Sequence, residues 1–307
     1  MTTALIFHPL FHRHEVPEGH PECPQRLSSI MDALHTARVH GLLEHHEAPC
    51  ATTEQLERAH SEEYIDTVTA QAPSTGYVSM DPDTYMGPHT LEAAKRGAGA
   101  AVLATELVLA GRVENAFCCV RPPGHHAGRR AAMGFCFFNN VAVAAAHALA
   151  AHQISRLAIL DFDVHHGNGT QEIFQDDERV LFCSVHQDNW YPFTGSASQP
   201  GHVVNVPMQA GTAGPAWRHA IQERWLPEIE RFEPQLVLVS AGFDGHAADP
   251  LSGFMLTESD YVWVTEQIMK LAQSHARGRI ISCLEGGYAL EALGTSVAAH
   301  IRTLARL

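Results

Sequence analysis

Short aliphatic runs alternate with longer segments of helical periodicity along the chain. Runs rich in Val, Ile, Leu and Ala at 4–7, 116–120, 157–163, 180–186, 203–206, 236–241 and 280–284 predict buried strands. Between them, 24–39, 88–111, 139–152, 213–232, 258–275 and 290–307 carry the apolar spacing of helices. Pro24 suits a first helical turn, Thr257 heads a T-E-S-D start, and Gly111 closes the helix before it. Strands that alternate with helices need crossover connections, which give a mainly parallel sheet covered by helices. No linker, repeat or low-complexity block interrupts the pattern, so 1–307 is expected to form a single α/β domain. Ligands of open parallel sheets bind beyond the carboxyl ends of the strands. The residues that directly follow each strand are therefore the candidates for chemistry.

Composition narrows the class. A chain of 307 residues with 45% hydrophobic and 18% charged residues is globular rather than disordered. With 34 acidic residues against 20 Lys and Arg, the net charge of −14 argues against an electrostatic nucleic-acid binder. The most apolar helix, 91–110, is interrupted by Glu92, Lys95, Arg96 and Glu106 and does not suit a bilayer. The seven cysteines form no C-x-x-C motif and mostly lie in apolar runs, which predicts free thiols in a reducing, cytoplasmic compartment. Before His8-Pro9 there is no basic segment, so no signal peptide is expected. No apolar stripe marks an interface, and oligomeric state is left open.

Histidine is abundant at 22 residues. His35, His40, His45, His46, His147, His152, His219, His275 and His300 lie on polar faces or at helix ends and are expected to be structural or solvent-exposed. His8, His12, His14 and His20 either line a rim or are solvated.

Other histidines directly follow strands. In Asp161-Phe162-Asp163-Val164-His165, alternation puts Asp161, Asp163 and His165 on one face of an extended chain. Two carboxylates and an imidazole on one buried face demand a cation or a dense set of hydrogen bonds. A second strand ends in Ala241-Gly242-Phe243-Asp244. Asp163, His165 and Asp244 make a three-ligand set with an open position, the layout of a catalytic zinc site. Such carboxylate-rich sets also suit iron(II), cobalt(II) or manganese(II).

The run NAFCCV leads to the adjacent imidazoles His125 and His126. Unequal partners, Asp161 for one and Asn168 for the other, allow the two to hold different protonation states, as acid–base work on a metal-bound water requires. RIISCL leads to Glu285-Gly286-Gly287-Tyr288, where the glycines permit close backbone approach and the tyrosine can donate to an oxyanion.

RPPGHH, MGFCFFNN, DFDVHHGNGT, SAGFDGHAADPLSGF and LEGGY, with HPECPQRL near the start, together resemble the histone deacetylase / acetylpolyamine amidohydrolase superfamily and its class II-like bacterial-type members. The blocks keep the family's order from about residue 20 to residue 290. The resemblance implies an arginase/deacetylase-like α/β fold, an open, mainly parallel eight-stranded sheet flanked by helices. It implies one zinc held by Asp163, His165 and Asp244, and a structural potassium near Asp161 and Ser184. His125 and His126 become the tandem catalytic pair, backed by Asp161 and Asn168, and Tyr288 the catalytic tyrosine. Gly134, Phe135, Tyr191, Leu251, Arg26 and Gly286 become substrate-site residues, with Asn168 and Leu251 the class II choices. Tyr191 stands where the family usually has Phe, which bears on acyl or amine preference.

The activity implied is hydrolysis of acyl-lysine or another acylated amine, acetylpolyamines included, and the zinc would also take hydroxamate-type inhibitors. A ureohydrolase on the same fold would need two metals and further carboxylate ligands, which Asn168 and the tandem histidines do not supply. A non-catalytic acyl-amine binding protein would not need every catalytic position filled, as they are here.

Overall fold

The computed structural model describes residues 2–307. Its strands are β1 (Thr3–Phe7), β2 (Glu44–Glu47), β3 (Val78–Ser79), β4 (Tyr85–Met86), β5 (Asn115–Cys118), β6 (Leu157–Asp161), β7 (Val180–Gln187), β8 (Val203–Met208), β9 (Val237–Ala241) and β10 (Ile280–Leu284). Its α-helices are α1 (Gln25–Thr36), α2 (Thr53–Glu57), α3 (Glu62–Ala70), α4 (Thr90–Leu109), α5 (Asn140–Ala151), α6 (Asn168–Phe174), α7 (Gly214–Arg224), α8 (Leu226–Phe232), α9 (Glu258–His275) and α10 (Leu290–Leu304).

Eight strands form one sheet in the order β2-β1-β5-β10-β9-β6-β7-β8, every neighbouring pair parallel. The seven aliphatic runs supply seven of them. The eighth, β2, reads EHHE and has no apolar pattern; it lies on the sheet edge, paired only with β1. An edge strand owes its place to backbone pairing, and charged side chains there discourage further strand addition. β3 and β4 make a separate antiparallel hairpin.

The strands β5, β6, β9 and β10 are buried along their whole length, as parallel strands covered by helices should be. Each fully buried Leu, Ile, Val or Phe in them contributes about 1.5–3 kcal/mol. α4 and α5 pack on each other and against strands of this centre, while α1, α9 and α10 form a second packed group. Among the described residues, no helix is long and apolar enough to cross a membrane.

Several local expectations change. The 213–232 segment is two helices, α7 and α8, broken at Trp225. Pro227 in the first turn of α8 has no N–H to continue the earlier helix. β6 stops at Asp161, two residues early, because the Asp163 carboxylate accepts the N–H of His165 at 2.8 Å and bends the chain. Of the histidines expected to be structural or solvent-exposed, His147 and His300 are buried structural groups. His300 lies between the hydroxyls of Thr265 (2.6 Å) and Ser282 (2.9 Å).

Candidate active site

The four central strands β5, β10, β9 and β6 are neighbours in space but far apart in sequence. Their parallel arrangement brings four chain segments to one end of the sheet: 121–126, 285–288, 242–244 and 162–168. Each carries part of the chemistry expected from the sequence.

Asp163, His165 and Asp244 are buried, and their ligand atoms all lie within 4.8 Å of one another. His165 Nδ1 stands 2.9 Å from Asp163 Oδ1 and 3.2 Å from Asp244 Oδ2. Backbone donors orient the carboxylates: Gly286 N–H reaches Asp163 Oδ2 at 2.8 Å, and Val164 N–H reaches Asp244 Oδ1 at 3.0 Å. Asp244 Oδ2 is buried with no hydrogen bond, its only polar contact here being that 3.2 Å approach of His165 Nδ1. Burial opposes charge on His165, yet Asp244 and Asp163 push its pKa up to about 10. Burial and the neighbouring Asp163 push Asp244 up to about 7. The set thus calls for positive charge. Two carboxylates and one imidazole nitrogen at this spacing suit a divalent ion of zinc's size, with ligands about 2.0–2.2 Å away. Gly286 is required here, because a Cβ on it would fall 1.9 Å from Asp244 Oδ2.

The tandem imidazoles lie beside this set, their ring centroids 4.0 Å apart. His125 Nδ1 meets Asp161 Oδ2 at 2.9 Å, and its Nε2 is 3.8 Å from Asp163 Oδ2. Burial disfavours its charge, but Asp161 and Asp163 outweigh burial and hold His125 well above the ordinary histidine range. His126 Nδ1 meets Asn168 Oδ1 at 2.7 Å. The Asn168 amide N–H donates to Met133 Sδ, which turns the amide oxygen toward His126 and assigns its proton to Nδ1. Burial, with His125 and His165 adding to it, holds His126 well below the ordinary range. The neutral Asn168 provides no charge to offset these effects. One imidazole is therefore held charged and its neighbour neutral, with Nε2 free to accept a proton.

Tyr288 follows β10, and the Arg26 guanidinium sits 5.0 Å over its ring. Arg26 is anchored from α1 by the carbonyls of Gly287 (2.6 Å) and Glu285 (2.5 Å) and by Glu22 (3.0 Å). Burial keeps the Tyr288 phenol protonated, well above its ordinary pKa. Asp249 accepts the N–H groups of Tyr288 (2.6 Å), Ala289 (3.0 Å) and Leu251 (3.0 Å), tying Leu251 to the same turn. Phe135 stacks edge-on to Tyr288 with centroids 5.9 Å apart, and Tyr191 edge-on to His126 at 5.2 Å. Gly134 and Phe135 both have left-handed backbones, at φ 57° and 69°. A Cβ at Gly134 would strike the His126 ring at 2.4 Å. Phe135 carries the backbone strain that a side chain suffers there, stabilised by its N–H bond to Thr84 Oγ1 at 3.0 Å.

Asp161 and Ser184 are register partners on β6 and β7, both fully buried. Every site residue expected from the sequence lies in this one neighbourhood or braces it. Sequence reasoning did not single out Glu22, which pairs with both Arg26 and Arg121, nor Asp249; His20, expected either to line a rim or to be solvated, packs its ring on Phe135 at 4.7 Å. Glu22 lies in HPECPQRL and Asp249 in ADPLSGF, so the motifs contained the signal without stating the partners. His147 and His152, expected to be structural or solvent-exposed, both meet Glu106, at 2.6 and 3.0 Å.

A parallel sheet whose carboxyl edge gathers a metal-ligand set, paired imidazoles and a phenol defines an amide-cleaving hydrolase of the deacetylase type. The chain belongs to the histone deacetylase family: the family described as "Histone deacetylase domain" matches residues 20–304. It is 39% identical to the histone deacetylase-like amidohydrolase of Pseudomonas aeruginosa, over 88% of this chain and 73% of that protein. It is also 39% identical to the mouse polyamine deacetylase HDAC10, over 99% of this chain and 48% of that protein. Among solved structures, the HDA15 HD domain superposes with a TM-score of 0.94 at 38% identity, covering 99% of this chain and 88% of that one.

Proposed function

We propose that this deacetylase hydrolyses the amide of an acetylated or similarly acylated primary amine, with acyl-lysine the leading substrate. The observation that carries the reading is the unequal pairing of the tandem imidazoles, His125 Nδ1 on the Asp161 carboxylate at 2.9 Å and His126 Nδ1 on the Asn168 amide oxygen at 2.7 Å, beside a buried three-ligand set. Asp163, His165 and Asp244 would hold one zinc, and iron(II) or cobalt(II) suit the same donors. Asp161 and Ser184 would line a structural potassium site. A divalent ion held by Asp163, His165 and Asp244 would supply Lewis acidity toward the amide carbonyl and would lower the pKa of water to about 7.

The remaining work falls to the chain. His126 takes the proton of the attacking water at Nε2 and passes it to the departing nitrogen as the C–N bond breaks, releasing acetate and free amine. His125, charged against Asp161, offsets the negative charge that grows on the substrate. Tyr288 donates its phenol proton in a hydrogen bond to the developing oxyanion. Phe135 and Tyr191 flank the alkyl stem and exclude water, with Gly134, Gly286 and Leu251 shaping the slot and Arg26 holding Tyr288. Hydroxamates would compete for the same ion. Residues 1–307 would act as a single deacetylase domain, in the cytoplasm if the free thiols reflect its compartment.

Acetylated polyamines are the second reading. Asp83, bonded by the Gly134 backbone and adjoining Asp81, places carboxylates near the slot where an ammonium would be welcome. Acetate release from matched acetyl-lysine peptides, acetylated putrescine and spermidine, and longer-acyl lysines separates the two readings. Metal-dependent turnover favouring peptides supports the first, and preference for free polyamines supports the second. No release from any substrate with any metal overturns both.

A further inference from the structure

Glu285 has no part in the steps above. It follows β10 directly, and its side chain is fully buried. One carboxylate oxygen, Oε2, accepts the backbone N–H groups of Gly124 at 2.6 Å and His125 at 3.1 Å. The other oxygen is buried without a partner. The Glu285 carbonyl accepts from Arg26, and the next N–H, that of Gly286, donates to Asp163 Oδ2. Tyr288 lies three residues further on.

Burying a carboxylate near Asp161, Asp163 and Asp244 is costly, and a residue that only filled space would be apolar. Burial pushes Glu285 up to about 7, although His125 and the two N–H groups pull the other way. What the carboxylate gains is geometric: one oxygen satisfies two consecutive donors in the loop that carries both catalytic imidazoles. The same residue belongs to the segment that carries Tyr288.

We propose that Glu285 is a positioning residue, clamping the His125–His126 loop to the Tyr288 segment and so fixing the proton-transfer pair relative to the oxyanion donor. The inference rests on the amidohydrolase reading above. Losing the clamp would orphan two buried N–H groups and let the loop relax, and displacements on the order of 1 Å in an active site cost up to about 100-fold in rate.

Glu285→Gln keeps an acceptor at this position, whereas Glu285→Met keeps the length and removes it. The measurements are kcat and KM on an acetyl-lysine peptide, metal per chain by mass spectrometry, and thermal melting. The Met variant should lose at least about tenfold in kcat with KM changed less than about twofold and metal retained, while Gln stays within about threefold of the parent kcat. Parental kcat in the Met variant, a loss confined to KM, or a Gln variant as impaired as Met would overturn the clamp.

If the Met variant does not fold cooperatively, Glu285→Asp decides, because it keeps the charge and withdraws the acceptor by one methylene. The same kcat-only loss supports the proposal, and parental kcat overturns it. A parent protein that releases no acetate under any metal would count against the amidohydrolase reading instead. Amide exchange at Gly124 and His125 would then test the clamp directly: faster exchange in the Met variant supports it, and unchanged exchange overturns it.

Discussion

Among the described residues, two clusters of three bring histidines and carboxylates within ligand distance: Asp163, His165 and Asp244 at the sheet edge, and Glu106, His147 and His152 between α4 and α5. Their composition is similar and their chemistry is not. In the second cluster both imidazoles donate to one Glu106 oxygen, and the other nitrogen of His147 faces the Arg58 guanidinium. Arginine only donates, so it fixes the His147 proton on the nitrogen that faces Glu106. Every donor there has found an acceptor, and Glu106 remains half exposed to water.

The sheet-edge cluster is the opposite case. Its carboxylates are oriented by backbone N–H groups, and buried Asp244 Oδ2 has no hydrogen bond, only the 3.2 Å ion-pair contact with His165 Nδ1. A ligand set is therefore defined by what it leaves unpaired, and residue count alone does not identify one.

The largest break in this comparison is Asp244→Ala. It should abolish acetate release, by at least about 1,000-fold, together with bound metal, while the protein still melts cooperatively. Parental metal content in that variant would place the ion elsewhere. Tyr288→Phe should lower kcat by about 100- to 1,000-fold, about 2.7–4 kcal/mol, with metal content unchanged. Turnover within a few-fold of the parent would remove Tyr288 from oxyanion stabilisation.

Imidazoles buried without a carboxylate sharpen the contrast through acid stability. His60 donates to the Gly128 carbonyl and accepts the Asn139 N–H, and burial pulls it down to about 4. Burial pulls His300 down to about 3. Both folded-state values lie below the unfolded value of about 6.5, so the unfolded chain binds more protons. Stability is then fully present above about pH 6.5 and falls with acidification toward pH 4 and 3, by up to about 1.4 kcal/mol per pH unit for each histidine. Urea melts of the parent and a His300→Gln variant across this range should differ in slope, and identical slopes would contradict the assignment.

The smallest effect belongs to the second cluster. Glu106→Gln should cost about 0–1 kcal/mol in stability and leave turnover and metal stoichiometry at parental levels. A lost metal equivalent would make that cluster a true ion site.

Most of the candidate site was legible because parallel sheets put ligand-binding residues at strand ends and each motif directly follows an aliphatic run. Asp163, His165 and Asp244 follow two such runs, His125, His126 and Tyr288 two others. The edge strand β2 was not legible, since EHHE carries no apolar period and is held by pairing with β1. The bend after Asp161 arises from a side chain accepting a backbone N–H, which periodicity does not register. Glu285 was visible in LEGGY, but its partners at Gly124 and His125 lie about 160 residues away and meet it only through the β5–β10 pairing.

On the proposed reading, one ion at the buried set of Asp163, His165 and Asp244 carries the reaction. The most direct test of that reading is to strip the protein with a chelator and titrate zinc back while following acetate release from an acetyl-lysine peptide. Activity should vanish on stripping, rise linearly and saturate at about one equivalent per chain. Saturation at two equivalents, or release that survives complete removal of metal, would contradict the account.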